Sequence, residues 1–298
     1  MNTSAPALKD NITSFHIVIA STDATMDTQN PKPATGLLLE IKTVQSSTVK
    51  QVIDALKEIL MDVNLEFDET GMRIVALDTT HAVLVHLKLD ADKFETYTCE
   101  KKLYVGINIL KLHMLIKTIT NNDLLTLYVE ADDPNSLGIR IDNPDKGVRT
   151  SYKLSMLDIN VVNIQIPPAE FETIVTMPSM DFQKIIRDMH NLADFIELRN
   201  VENELRFSCK GDFCTQDTIL SLDRAANMTI VRDAERPHEI IQGVFNLKYL
   251  STFTKCTNLS NVVEIYLKNS FPLCLVYSVS SLGTIRLFLA PHDTSGTA

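Results

Sequence analysis

Four times along this 298-residue chain one amphipathic helical stripe is followed by a run of short β-forming segments, and nothing else in the sequence restricts the fold so tightly. The first stripe, residues 48–60, places Val49, Val52, Ile53, Leu56, Ile59 and Leu60 on one helix face behind the cap candidates Ser46 and Ser47. The others are 107–120, 181–193 (after Met177-Pro-Ser179) and 246–257, so successive starts lie 59, 74 and 65 residues apart. Strand patterns fill the intervals, at 38–41, 72–77, 82–89, 124–129, 138–141 and 152–156 in the first half. In the second half they fall at 195–198, 205–209, 218–222, 262–267, 273–279 and 284–289. The recurrence predicts an α+β fold of two similar halves, each holding two units.

Between the halves, residues 157–170 lack periodicity, and Pro167-Pro168 blocks regular hydrogen bonding, so a connector is expected there. Ile159, Val161, Val162, Ile164 and Ile166 are too many apolar groups for a freely solvated linker, which predicts that the connector lies along a surface. The expected organisation is a polar, mobile leader at 1–37, domains at 38–156 and 171–293 around the connector, and a tail at 294–298.

Composition removes several classes of function. Only nine glycines occur, with no GxGxxG and no GxxxxGK[ST], so the common backbone cradles for nucleotide phosphates are missing. No apolar run reaches the ~18–20 residues of a membrane helix, and no membrane partner is expected. The five cysteines, Cys99, Cys209, Cys214, Cys256 and Cys274, form no CxxC pair and fit free thiols in a reducing compartment. Neither a metal centre nor a cofactor is expected. Nothing arranges a nucleophile, base and oxyanion donors, so no catalytic residue is assigned and a non-enzymatic role is expected.

Charge is distributed unevenly. The chain carries 28 Lys and Arg against 38 Asp and Glu, a formal −10. The four helical windows hold eight basic residues, Lys50, Lys57, Lys111, Lys117, Lys184, Arg187, Lys248 and Lys255, against four acids, Asp54, Glu58, Asp181 and Asp188. Their net charge is therefore +4, leaving −14 for the rest of the chain. Lys50 and Lys57 are seven residues apart, as are Lys248 and Lys255, which puts each pair within about 20° on a helix surface. Lysine on a surface helix commonly serves solvation alone. Its repetition on four helices of an acidic chain fits a basic lining that holds phosphates without reading bases.

From Leu38 to Asp293 the chain resembles the DNA sliding clamps of the proliferating cell nuclear antigen family. The matching blocks are 45–57 (QSSTVKQVIDALK), 71–85 with Leu77-Asp78-Thr-Thr-His81, 164–167, Met177-Pro-Ser179, 181–188 (DFQKIIRD), 245–259 (FNLKYLSTFTKCTNL) and Phe288-Leu-Ala-Pro291. The resemblance implies two domains of two βαβββ units each, closing as a homotrimer into a six-domain ring around duplex DNA. It also implies that the eight basic helix residues face DNA. A partner pocket would comprise Leu77, His81, Ala82, Leu84, Ile164, Ile166, Pro272, Phe288, Ala290 and Pro291. For each of these residues singly, ordinary core packing is the competing explanation. Subunit contacts would join Tyr152 and Leu154 to Thr218 and Leu220 of the next chain.

The implied partners are DNA, DNA polymerase and other proteins with PIP-box-like peptides, and an ATP-dependent clamp loader. The implied location is the nucleus or, for a viral protein, a host replication compartment. The leader has no family counterpart, the tail lacks an acidic end, and Met114 stands where relatives usually carry a basic residue. These departures suit a divergent member such as a large DNA virus would encode. A clamp-fold factor that stays open, or a subunit of a heterotrimeric checkpoint clamp, is the alternative.

Overall fold

The structure, a computed structural model, describes residues 36–162, 164, 170–223, 227–233 and 238–292. Residues 1–35 of the expected leader and the expected tail lie outside these residues, as do Ile166 and the prolines of the connector, while Leu37, expected to end the leader, opens the first strand.

Each unit is one strand, one helix and three strands. The first is β1 (Leu37–Thr43), α1 (Ser46–Leu56), β2 (Asp62–Asp68), β3 (Gly71–Leu77) and β4 (Val83–Asp90), with a short β5 (Thr96–Cys99) after it. The second is β6 (Leu103–Asn108), α2 (Ile109–Ile116), β7 (Leu124–Glu130), β8 (Asp133–Asn143) and β9 (Val148–Ser155). The third is β10 (Thr173–Pro178), α3 (Ser179–His190), β11 (Phe195–Val201), β12 (Glu204–Lys210) and β13 (Thr215–Ser221), followed by a short β14 (Thr229–Arg232). The fourth is β15 (Ile241–Asn246), α4 (Leu247–Phe253), β16 (Val262–Leu267), β17 (Leu273–Val279) and β18 (Gly283–Leu289). The fourfold recurrence in the sequence is thus a fourfold recurrence in space.

The helical windows are shorter than the periodicity suggests. Asn108 and Asn246 end strands and cap α2 and α4, each side chain accepting a backbone N–H from Lys111 and Lys248 respectively, so the helices begin one residue later. After Phe253 the last turn tightens into a 3₁₀ segment, Thr254–Asn258. There the Thr254 hydroxyl donates to the Ser251 carbonyl, a local bond that competes with the α-helical pattern. Strand β2 has the alternation of a half-buried strand, with Val63, Leu65 and Phe67 buried, but its other positions, Asp62, Asn64, Glu66 and Asp68, are poor β-formers, which masks it in the sequence. Strands β6, β10 and β15 run directly into helices and carry no turn signal between.

Three antiparallel sheets result. One is five-stranded, β5-β1-β7-β8-β9, one four-stranded, β13-β12-β11-β15, and one nine-stranded, β14-β10-β16-β17-β18-β4-β3-β2-β6. The last is a composite. Its four strands β6-β2-β3-β4 belong to the first half and its five strands β18-β17-β16-β10-β14 to the second. The seam is the β4–β18 pair, seven residues long from Leu89↔Gly283 to Val83↔Leu289. Helices α1 and α2 touch each other, α3 touches α4, and α1 touches the 3₁₀ segment, so the helices form one layer in the order α2-α1-α4-α3. A single apolar core containing Leu39, Leu56, Phe67, Phe182, Phe207 and Phe253 lies between helices and sheets.

Gly283 opens the seam. A Cβ there would meet the Lys88 carbonyl oxygen at 2.0 Å, so only glycine allows the strands to approach at that end. Gly283→Ala should therefore destabilise the fold by about 2–4 kcal/mol, as strained close backbone contacts do. Urea denaturation followed by circular dichroism checks this, and an unchanged midpoint would show that the seam end carries no strain.

Candidate nucleic-acid and peptide interfaces

Helix α1 starts at Ser46, whose buried hydroxyl donates to the Asp123 carbonyl at 2.6 Å, and α3 starts at Ser179, whose hydroxyl donates to the Ser260 carbonyl. These matched ties fix the rotation of both helices. Their apolar faces, Val49, Val52, Ile53 and Leu56 on α1 and Phe182, Ile186 and Met189 on α3, are buried, which turns the opposite face outward. Lys111, Lys117, Lys184, Arg187, Lys248 and Lys255 are exposed on the four-helix layer. Among the described residues, Lys117, Lys184, Lys248 and Lys255 have no side-chain hydrogen bond or ion pair, and Arg187 only reaches its neighbour Asp188 at 3.5 Å. Met114 is an exposed apolar residue on α2.

Two of the eight basic residues stand differently. The Lys50 ammonium donates to the Ile119 carbonyl at 2.6 Å, and Lys57 pairs with Asp54 at 2.6 Å. Asp54 also receives His113 Nε2 at 3.0 Å. The Lys57 hydrogen bond is the main reason that the Asp54 carboxyl ionises below its ordinary range.

The opposite face of the nine-stranded sheet holds the second feature. Register places Leu77 opposite Leu84, Leu84 opposite Phe288, Phe288 opposite Cys274 and Cys274 opposite Tyr266, so five side chains form one row across five strands. Leu84, Phe288 and Cys274 make a cluster separate from the main core, with Leu77, Ile164, Val75, Val276, Phe171 and Tyr266 packed against it. Burial raises the Cys274 thiol to about 12, which keeps it neutral and unreactive. The row exists only because of the seam: Leu77 and Leu84 come from one half and Phe288, Cys274 and Tyr266 from the other.

The connector lies over this face. The Leu157 N–H donates to the Gly106 carbonyl at 2.8 Å, and Asn64 donates to the Ile159 carbonyl at 3.1 Å. A Cβ on Gly106 would meet the Leu157 oxygen at 2.1 Å, so this close approach requires glycine. The connector then delivers Ile164 and Phe171 to the cluster. Of the expected pocket residues, the structure brings together Leu77, Leu84, Ile164 and Phe288. Ala82 joins the same edge, its carbonyl accepting from Ala290 N–H at 2.9 Å, with Pro291 following and Pro272 buried ahead of β17. His81 is exposed at φ 59° on the β3–β4 turn and is not part of the cluster. Ile166 lies outside the described residues.

Cys274, Tyr266, Val75, Val276 and Phe171 are cluster members that sequence reasoning missed. The signal was the unbroken apolar run Leu273–Tyr277 in β17, since a strand apolar on both faces must be covered on both.

The remaining expected residues sit on open edges. Tyr152 and Leu154 lie in β9, and Thr218 and Leu220 in β13. Among the described residues β9 pairs only with β8 and β13 only with β12. Tyr152, Leu154 and Leu220 lean on the core, while Arg149, Lys153, Asp217 and Ile219 point outward.

Four βαβββ units, a helix layer on one face of a composite sheet and an apolar cluster under a connector on the other define the DNA-clamp fold. Residues 38–164 match the family description "Proliferating cell nuclear antigen, N-terminal domain" and residues 165–292 match "Proliferating cell nuclear antigen, C-terminal domain". The chain is 37% identical over 260 residues to the "Probable DNA polymerase sliding clamp 1" of Paramecium bursaria Chlorella virus 1, covering 86% of this chain and 97% of the relative. It is 31% identical over 262 residues to the "Proliferating cell nuclear antigen" of Chaetomium thermophilum, covering 85% and 98%. The chain belongs to the proliferating cell nuclear antigen family.

The β3–β4 turn that borders this cluster hangs on one carboxylate. Asp78, only 8% exposed, accepts from Val83 N–H at 2.8 Å, Thr80 N–H at 3.1 Å and the Thr80 hydroxyl at 2.5 Å. Asp78→Ala strands these donors, so a loss of about 1–3 kcal/mol is expected, with faster amide exchange at Thr80 and Val83. Unchanged exchange would show that the turn is held by other means.

Proposed function

We propose that this chain is a DNA polymerase processivity factor that closes, three copies head to tail, into a ring around duplex DNA. The observation that carries this is the match between the internal seam and two open edges. At the seam, the last strand of the first unit (β4) pairs with the last strand of the fourth (β18), joining four strands to five. Two of the edge strands among the described residues are the last strands of the second and third units, β9 and β13, and they end sheets of five and four strands. Pairing β9 of one copy with β13 of the next builds another nine-stranded sheet of the same composition. Repeating the same turn six times closes a ring and leaves no sheet edge at the joints. Tyr152 and Leu154 would then meet Thr218 and Leu220.

Such a ring turns its helix layers inward. The ammonium groups exposed there hold phosphates by charge and carry no base code, so the grip is weak, sequence-independent and compatible with sliding. Retention comes from topology, and no chemical step is needed. Outside, Leu77, Leu84, Phe288 and Ile164 form an apolar cluster beside connector backbone. This fits a PIP-box-like peptide of the polymerase and of other replication or repair proteins, with His81, Ala82, Pro272, Ala290 and Pro291 around the rim. A closed ring needs an ATP-dependent loader to open it. The setting is an intracellular replication compartment, nuclear or viral.

Light scattering should give about 100 kDa, three times the 33.4 kDa chain, and loaded protein should stay on nicked circular DNA while running off linear DNA. A persistent monomer, a mixed ring formed only with other subunits, or equal loss from both DNAs would overturn the ring. Independently, Leu77→Ala with Ile164→Ala should weaken a PIP-box peptide about tenfold or more, ~1.4 kcal/mol, at unchanged oligomer mass. Full affinity in that variant places the peptide elsewhere.

A further inference from the structure

We propose that the outer face of the composite sheet carries a second seat for the partner chain, an open groove at the β14 end that takes an apolar side chain, with a lysine or arginine beside it, from the segment flanking the peptide motif. This rests on the reading of the cluster around Leu84 and Phe288 as a peptide pocket and extends it.

The apolar row does not stop at Tyr266. Register continues it to Ile174 on β10 and from Ile174 to Val231 on β14, the last strand of the nine-stranded sheet. Seven side chains thus stand in one line across seven neighbouring strands. Their cover thins along this line. Phe288 and Cys274 are buried, Tyr266 and Ile174 are half-buried, and Val231 is 61% exposed. Two positions along from Tyr266, Ile174 and Val231, and so on the same face, stand Lys268, Glu172 and Asp233. A groove of about 460 Å³ lies here, with Phe171, Ile174 and Val231 as its apolar wall and Glu172, Asp233 and Lys268 as its polar one. That volume suits a side chain with its neighbours.

Continuity argues for the same partner chain. Phe171 belongs to both places: it packs on the cluster, edge-on to Tyr266 at 5.3 Å and to Phe271 at 5.7 Å between ring centroids, and it walls the groove. From Phe288 on β18 to Val231 on β14 is four strand steps. At ~4.8 Å each this is about 19 Å, which an extended chain covers in about six residues. Charge argues for the basic neighbour. Three carboxylates, those of Glu170, Glu172 and Asp233, line the groove against Lys268 and Arg232. Arg232 is held by Asn200 Oδ1 at 2.7 Å and by the Glu239 carbonyl, and the Lys268 ammonium donates to the Glu170 carbonyl at 3.1 Å. Among the described residues the exposed Glu170 carboxylate has no hydrogen-bond or ion-pair partner.

Fluorescence anisotropy of the assembled protein with three labelled synthetic peptides of equal length tests this. One carries a PIP-box-like motif between Gly-Ser flanks. The other two carry Lys-Leu-Lys centred about six residues before or after that motif. One of these two should bind about fivefold tighter or more than the Gly-Ser peptide. Val231→Ser should remove the gain and leave the Gly-Ser peptide unchanged within about twofold. Val231 is an exposed side chain, so the variant should keep its melting temperature. Glu170→Gln should remove the part of the gain that salt screens, and an unchanged salt dependence refutes the role of Glu170. No gain from either extended peptide, or a gain that survives Val231→Ser in full, overturns the second seat. An assembly heavier than the ring that Val231→Ser dissolves would assign the groove to another copy and overturn it as well. Leu77→Ala with Ile164→Ala separates the two readings. If that variant weakens the Gly-Ser peptide, the pocket stands and only the second seat falls; if it does not, both fall.

Discussion

The backbone pairing of β4 with β18 is the constraint on which the other features depend. Seven residue pairs weld the first and fourth units into one continuous sheet, and inside a sheet every N–H and C=O on the shared border is satisfied. The pairing fixes the register, and the register decides which side chains stand together on the outer face. Leu84 and Phe288 face each other only because Val83–Leu89 runs against Gly283–Leu289 without a bulge. A slip of one residue would send Leu84 and Phe288 into the core side and bring Val85 and Leu287 outward. The cluster is therefore a property of the join between halves and belongs to neither half alone.

The same join leaves the two other terminal strands, β9 and β13, uncovered at opposite ends of the chain's sheets. Long open edges are hazards for a monomer, and a chain that repeats its internal seam between copies removes them. The proposed pairing of β9 with β13 of another copy would use between chains the backbone solution that β4 and β18 already use inside the chain. Helical windows are net positive while the remainder is strongly acidic.

Much of this was legible along the chain. Periodicity found the four helices because each has one buried stripe, and their even spacing exposed the repeat before any contact was known. The basic residues were found by counting per element, since total charge alone conceals them. Four of the expected pocket residues meet in one cluster. Leu77, Leu84 and Phe288 sit in matching blocks of the family resemblance, and Ile164 falls at the point where the connector turns apolar. Cys274, Tyr266 and Val276 were missed because their partners lie on strands up to about two hundred residues away in sequence, and only pairing register reveals a shared row.

By itself, the sequence determined the repeating unit, the stripe that each helix buries and the segregation of positive charge onto those helices. Local periodicity and composition encode these, because side chains three or four apart on a helix, or two apart on a strand, already share a face. Tertiary structure decided what each basic group touches. Lys50 and Gln183 look unrelated in the chain, yet both donate to the end of a neighbouring helix. The partner of a lysine is whichever carbonyl or carboxylate lies within about 3 Å of its nitrogen. That distance is set by packing between elements some seventy residues apart, which no local pattern records.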